Sequence, residues 1–227
     1  MEHHPFTWLS GFGANEPVAV AVFVTVMLIA FAVMVRARTR SVEHAIDPED
    51  GVTVRNVAEA FVEGMNGLAE GVLGHHYHPY VPLLAAFFAY ILVANLLGLV
   101  PGFVPPTSHF QMTFALGLVS FLAYHVYGLK AQGVSYLKHF LGPLMLLAPL
   151  MLPIELVSHM FRPVSLGIRL YANMYADHEV IGIFTALTKL VIPVIFYVLG
   201  AFVCVVQAFV FTMLTAIYIS LSVSHDH

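Results

Sequence analysis

From Gly142 to Leu221 the chain runs through about 80 nearly continuous apolar residues with no polar loop to turn them. The interruptions are Pro143, Pro149, Pro153, Pro163 and Pro193, and the charges Glu155, Arg162, Arg169, Asp177, Glu179 and Lys189. In lipid every backbone amide must find its partner within the protein, so a stretch of this kind has to be helical. Its length would allow about four crossings of a hydrocarbon core that takes roughly 20 residues each. Each reversal would need a loop, however, and the sequence offers none. Two long tilted helices over 142–222, forming a hairpin around Thr188 to Pro193, meet the constraint with a single turn.

The rest of the chain has the same solvent in view. Of its 227 residues 59% are hydrophobic and only 10% charged, with a mean hydropathy of +0.86. Soluble domains are about one-quarter charged, so polar groups cannot cover a folded surface here. A first span is expected over 17–35, closed by Arg36, Arg38 and Arg40. Basic residues mark the cytoplasmic side, which puts the N-terminus outside. The segment 53–73 is too polar to span. It sets Val57, Phe61, Met65 and Leu68 on one helical face, with Arg55, Glu59 and Glu63 elsewhere. That pattern predicts an amphipathic interfacial helix, and its mixed charges favour docking on protein over docking on anionic lipid. A transmembrane hairpin follows over 81–128, turned by a loop with Pro105, Pro106 and His109. Lys130 and Lys138 then fall on the side that the first basic cluster marks as cytoplasmic. The predicted fold is therefore an all-α polytopic membrane protein. It has three roughly vertical transmembrane helices, one amphipathic interfacial helix and a long tilted membrane-embedded hairpin.

The charges inside the apolar run are where chemistry is to be sought. On a helix Glu155, Arg162 and Arg169, seven apart, return to nearly one face, and Ser165, Arg169 and Asn173, four apart, form an adjoining ridge. His178 is nine residues from Arg169, about half a turn away in azimuth and roughly 13 Å along the axis. The polar residues are thus strung along the helix as a path would need, not gathered in a pocket. In the last helix Gly200, Cys204, Gln207, Phe211 and Thr215 share a stripe. The amide of Gln207 needs a partner there, and the polar edge of the preceding helix is the natural one.

An intramembrane charge costs on the order of 2.5 to 3.5 kcal/mol on insertion scales, so pairing or function must offset it. Arginine, with a pKa of about 12.5 or more, stays charged and cannot pass a proton. It can attract a carboxylate and repel a cation. Glu155, Asp177, His178 and Glu179 can titrate and can relay protons. A fixed positive gate between titratable groups describes an ion path that is deliberately discontinuous.

Plainer roles apply elsewhere. Arg162 and Lys189, close to helix-breaking prolines, are expected to snorkel to the interface. His109, His125 and His139 are expected in loops or at the interface. HHYHPY, with His75, His76 and His78, looks like part of a metal site, but no second histidine box accompanies it, and an interfacial turn before Pro79 is expected instead. No metal, cofactor or nucleic-acid partner is expected. A secondary transporter with an Arg-bound anion would show paired inverted halves, and no second arginine-bearing hairpin is present.

PIELVSHMFRPVSLGIRLYANMYADHEV, followed by VVQAFVFTMLTAIYIS, closely resembles subunit a of the membrane sector of rotary F-type ATP synthases. NLLGLVPG and PTSHFQMTFALGL resemble that family's second and third spans. The resemblance implies that Arg169 is the essential arginine facing a rotating ring of c subunits. It makes Asn173 and Gln207 the polar neighbours of that arginine, and Glu155 the acidic residue of the cytoplasmic half-channel. It places His178 where members carry Glu or His in the other half-channel. Implied partners are the c-subunit ring, the peripheral-stalk b subunits, the remaining ATP synthase subunits and membrane lipid. The implied setting is a bacterial plasma membrane, with nucleotide chemistry left to other subunits. Three positions depart from the pattern. Gly200 stands where some bacterial members carry a histidine, His109 where some carry an acid, and Asp177 where glycine is usual.

Overall fold

A computed structural model describes residues 8, 10–38, 53–133, 148–188 and 191–223. Arg40, Lys138, His139, Lys189 and the first residues of the predicted long hairpin, 142–147, lie outside the described residues. The described chain is all helical: α1 Glu16–Arg38, α2 Val54–Leu73, α3 Val81–Leu97, α4 Phe110–Gln132, α5 Ala148–Leu187 and α6 Val191–Val223. Three helices, α1, α4 and α6, are long and apolar enough to cross a membrane. The protein is an all-α polytopic membrane protein.

α6 is the central element. Its stripe of Gly200, Cys204, Gln207, Phe211 and Thr215 is buried throughout, which is the face inferred from the spacing. α5 folds back along it. Phe184 stacks on Phe196 at 4.3 Å, Asn173 bonds Gln207, and Arg162 lies over Tyr218, so the two helices run antiparallel over most of their length. α5 ends at Leu187 and α6 begins at Val191, with Pro193 already inside α6. Thr188 closes α5 by donating both its amide and its hydroxyl to the Phe184 carbonyl, at 3.0 and 2.9 Å. α5 is one 40-residue helix through Pro153 and Pro163, because neighbouring helices can hold the backbone where a proline removes a hydrogen bond.

α4 crosses α5 antiparallel at very short range. A Cβ on Gly117 would lie 2.5 Å from the Pro163 carbonyl oxygen, and one on Gly167 would lie 3.0 Å from Phe114 Cα. Small residues at both positions let the two backbones touch, which is how helices gain packing energy when lipid supplies no hydrophobic drive. From that crossing the antiparallel register carries Tyr124 to His159 and Phe110 to Tyr171. α4 also meets α6 through the buried Ser120–Thr215 hydroxyl pair at 2.9 Å.

α3 ends at Leu97, after 17 residues, sooner than the apolar run extends. Gly98 sits against the Pro105 ring, where a Cβ would come within 2.6 Å of Cγ. The Thr107 hydroxyl donates to Asn95 Oδ1 at 2.6 Å in a buried bond that ties the loop back to α3. Trp8 closes this end, with its amide donating to Gly102 O at 3.0 Å and its indole Nε1–H to Pro101 O at 3.3 Å.

α2 is capped by Thr53, whose hydroxyl accepts from the Asn56 amide at 3.2 Å. Its inner face differs from the expected one. Met65 and Ala69 are buried, but Val57 is 52% exposed and Arg55, assigned to the outer side, is 6% exposed. The cause is docking on helices. Phe61 packs on Phe88 of α3, and Ser220 of α6 donates to the Val72 carbonyl at 3.2 Å. The contact thus favours the small Ala69, while Arg55 lays its stem inward and donates from Nε to Glu59 Oε1 at 2.6 Å.

Candidate functional site

Three clusters are set out along α5, and the hairpin register decides each. At the centre, Asn173 Nδ2 donates to Gln207 Oε1 at 2.8 Å. This is the partner that the Gln207 amide required. Arg169 sits one turn before Asn173 on the same ridge and is exposed. Among the described residues it forms no ion pair. One turn to either side on its ridge Ser165 and Asn173 are exposed as well, and the apolar Ile168 of α5 and Phe209 of α6 are exposed too. An intramembrane guanidinium without an ion-pair partner is costly unless something arrives to meet it.

Two turns beyond Arg169, roughly 12 Å along the axis, lies the second cluster. The Asp177 carboxylate occupies the space left by Gly200 of α6, where an added Cβ would lie 2.6 Å from Oδ2 and 3.1 Å from Cδ2 of Leu99, in the turn after α3. The three titratable neighbours therefore separate. Asp177 is half-buried against α6 on the side of the Asn173–Gln207 pair, His178 is half-buried on a different azimuth, and Glu179 is exposed. Successive helical residues point about 100° apart, so only one of three consecutive side chains can face a given neighbour. Gly200, which the sequence places on the stripe of the last helix and at a departure from the family pattern, is what admits the carboxylate. His109 stands in the loop at the start of α4 and makes no side-chain cap bond to the helix. Burial lowers its pKa from the ordinary histidine value, with the Glu16 carboxylate pulling the other way.

The third cluster lies roughly 21 Å from Arg169 in the other direction, at Glu155. Glu155 Oε1 accepts from His159 Nε2 at 3.2 Å, and the other ring nitrogen, Nδ1, meets the Tyr124 hydroxyl at 3.2 Å. His125 stacks beside them, 4.3 Å from Tyr124 and 5.5 Å from His159 between ring centroids, with Nδ1 donating to the Phe121 carbonyl at 2.9 Å. His125 lies within α4, so it is not a loop residue. Arg162, expected at the interface, is half-buried. Its guanidinium lies 5.1 Å from the Tyr218 ring and 5.9 Å from the Tyr124 ring, a cation–π arrangement that holds it between helices. The break expected at Pro163, which would have freed it, does not occur.

The sequence pattern assigned no role to His159 or Tyr124, and His125 only a place in a loop or at the interface. Glu155 and His159 stand four apart, the spacing at which helical side chains meet, and that signal was available. Tyr124 could be found only through the α4–α5 crossing. His75, His76 and His78 are exposed around the turn before Pro79.

A family model described as ATP synthase A chain matches residues 18–220. The chain belongs to the ATP synthase A chain family. Curated relatives agree along nearly the whole length. The ATP synthase subunit a of Bdellovibrio bacteriovorus is 44% identical over 204 residues, covering 89% of each chain. That of Solibacter usitatus is 40% identical over 206 residues, 90% of this chain and 88% of the relative. That of Citrifermentans bemidjiense is 38% identical over 232 residues, 99% of each. All three clusters, from Tyr124 to Tyr218, fall inside the stretch matched by the ATP synthase A chain family.

Proposed function

We propose that the chain is a stator subunit of an ATP synthase proton channel. It carries protons through two offset half-channels to and from the carboxylates of a rotating c-ring, and so couples proton flow to ATP synthesis. The observation that carries this is the position of Arg169. It is exposed on α5 one turn from the Asn173–Gln207 pair, with titratable clusters on either side along the helix.

A proton from outside passes by Asp177, His178 and Glu179 to the Asn173–Gln207 pair and neutralises a ring carboxylate, which can then turn into lipid. After rotation the carboxylate releases its proton toward Glu155 and the cytoplasm. Arg169 holds the returning anionic carboxylate and, being permanently charged, stops a proton from crossing directly between the half-channels. The driving energy is about 2.3 kcal/mol per charge per 100 mV, so several protons serve each ATP. Among the outer titratable groups, the contact of Asp177 with Gly200 of α6 favours it over Glu179. Peripheral-stalk b subunits and the other synthase subunits complete the machine. The setting is a bacterial plasma membrane with the N-terminus outside.

The test is gentle purification from the native membrane. A complex containing a ring of small hairpin proteins and a catalytic head, able to make ATP when reconstituted, is expected. A monodisperse chain that transports a solute alone would overturn the proposal.

A further inference from the structure

We propose that His159 is the proton-transferring group of the half-channel that contains Glu155, with Tyr124 orienting its ring. This inference rests on the half-channel assignment above and adds a residue that the assignment does not contain. Both ring nitrogens are engaged from different sides: Nε2 by Glu155 one turn back on α5, Nδ1 by the Tyr124 hydroxyl from α4, each at 3.2 Å. The His159 side chain is 12% exposed and that of Glu155 is 40% exposed. The pair thus runs from a protected position to a more exposed one. His159 is also the nearer of the two to Arg169, by about 6 Å along the axis. Histidine is the side chain whose unperturbed pKa, about 6.5, lets it take and give a proton near neutral pH.

Among the described residues, the charged and titratable groups around it are Glu155 and Arg162 on its own helix and Tyr124 and His125 on α4, with Tyr218 of α6 beyond Tyr124. Arg162 is held on the two tyrosine rings and carries no exchangeable proton at physiological pH. Tyr124 is tied to α5 close to the glycine crossing, which fixes where its hydroxyl points.

The transfer balances as follows. In the starting state the neutral imidazole carries its proton on Nε2 and donates it to the Glu155 carboxylate, while the Tyr124 hydroxyl donates to Nδ1. A proton released by a ring carboxylate, arriving by water, is taken up at Nδ1, and the Tyr124 oxygen becomes the acceptor. The imidazolium passes its Nε2 proton to Glu155, which becomes a neutral acid and loses that proton to cytoplasmic water. Proton exchange with water, in which Nδ1 loses one proton and Nε2 gains one, restores the starting tautomer with no net transfer.

The experiment measures passive proton flux through membrane vesicles holding the assembled complex after removal of the catalytic head, alongside ATP-driven pumping before removal. Assembly is read from the ring co-purifying with this chain. His159→Gln retains hydrogen-bonding groups at the end of its side chain but cannot titrate, and flux on the order of tenfold below wild type is expected. His159→Ala should lose flux similarly and regain part of it when imidazole is added to the medium. Tyr124→Phe should give a smaller loss that imidazole does not restore. Wild-type flux in His159→Gln, or loss in His159→Ala that imidazole leaves unchanged, would overturn the proposal and leave His159 a packing residue. If one variant does not assemble, the other decides. The underlying assignment fails separately, by wild-type behaviour of Glu155→Gln or Arg169→Ala in the same vesicles. Impairment of those two with a wild-type His159→Gln defeats this inference alone.

Discussion

Replacing Gly200 by alanine places a methyl group where the Asp177 carboxylate now rests. The new Cβ would be 2.6 Å from Oδ2 and 3.1 Å from Leu99 Cδ2. A carbon–oxygen contact relaxes at about 3.3 Å, so the carboxylate must retreat by roughly 0.7 Å. It can do so only by turning away from its preferred rotamer, at about 0.5 to 1.5 kcal/mol. At about 1.4 kcal/mol per tenfold, the populated position of the carboxylate falls by a factor of about two to ten. If Asp177 relays protons, ATP-driven pumping by assembled complexes in inverted vesicles should slow by that factor. The clash is specific, so it should disappear when the carboxylate is gone: in an Asp177→Gly background, Gly200→Ala should have almost no additional effect. A double-mutant cycle measures this directly. Wild-type pumping in Gly200→Ala, or an equal effect of Gly200→Ala with and without Asp177, would refute the placement of Asp177 against α6 as part of the path.

Gly117→Leu drives a side chain into the backbone carbonyl of Pro163, which cannot rotate aside. α4 and α5 must part, and the amount of chain assembled with the ring should fall well beyond the roughly 1 to 3 kcal/mol of ordinary overpacking, as measured by immunoblot of purified complexes. Gln207→Leu takes the acceptor from Asn173. Interhelical bonds in membranes are worth about 0.6 kcal/mol on average, so assembly should survive while ATP synthesis slows. Gly102→Ala meets both a φ of +89° and the Trp8 indole 2.5 Å from the added Cβ. Because Trp8 is the single tryptophan of the chain, its displacement should appear as a red shift of this chain's own fluorescence, and an unchanged spectrum would contradict the packing.

The sequence disclosed what depends on local pattern. The apolar run without loops fixed the long hairpin and its turn near Thr188, and spacings of three and four located the buried stripe of α6 through Gly200, Gln207 and Thr215. Gln207 announced its need for a partner because an amide has few ways to be satisfied in lipid. What remained hidden depends on contacts between helices. Arg55 faces inward because α2 docks on α3 and α6, and nothing in 53–73 encodes where those helices lie. Arg162 stays between helices because Tyr124 and Tyr218, distant in sequence, converge on it. Asp177, His178 and Glu179 are equivalent as titratable residues in a sequence. The glycine opposite Asp177 is what distinguishes them.

Proton-driven ATP synthesis by an assembled Arg169→Ala complex tests the central claim most directly. With the fixed charge removed, nothing holds the returning ring carboxylate or separates the two paths. The ring should co-purify normally, and an imposed proton-motive force should yield no ATP. Synthesis at the wild-type rate would contradict the assignment of Arg169 as the gate.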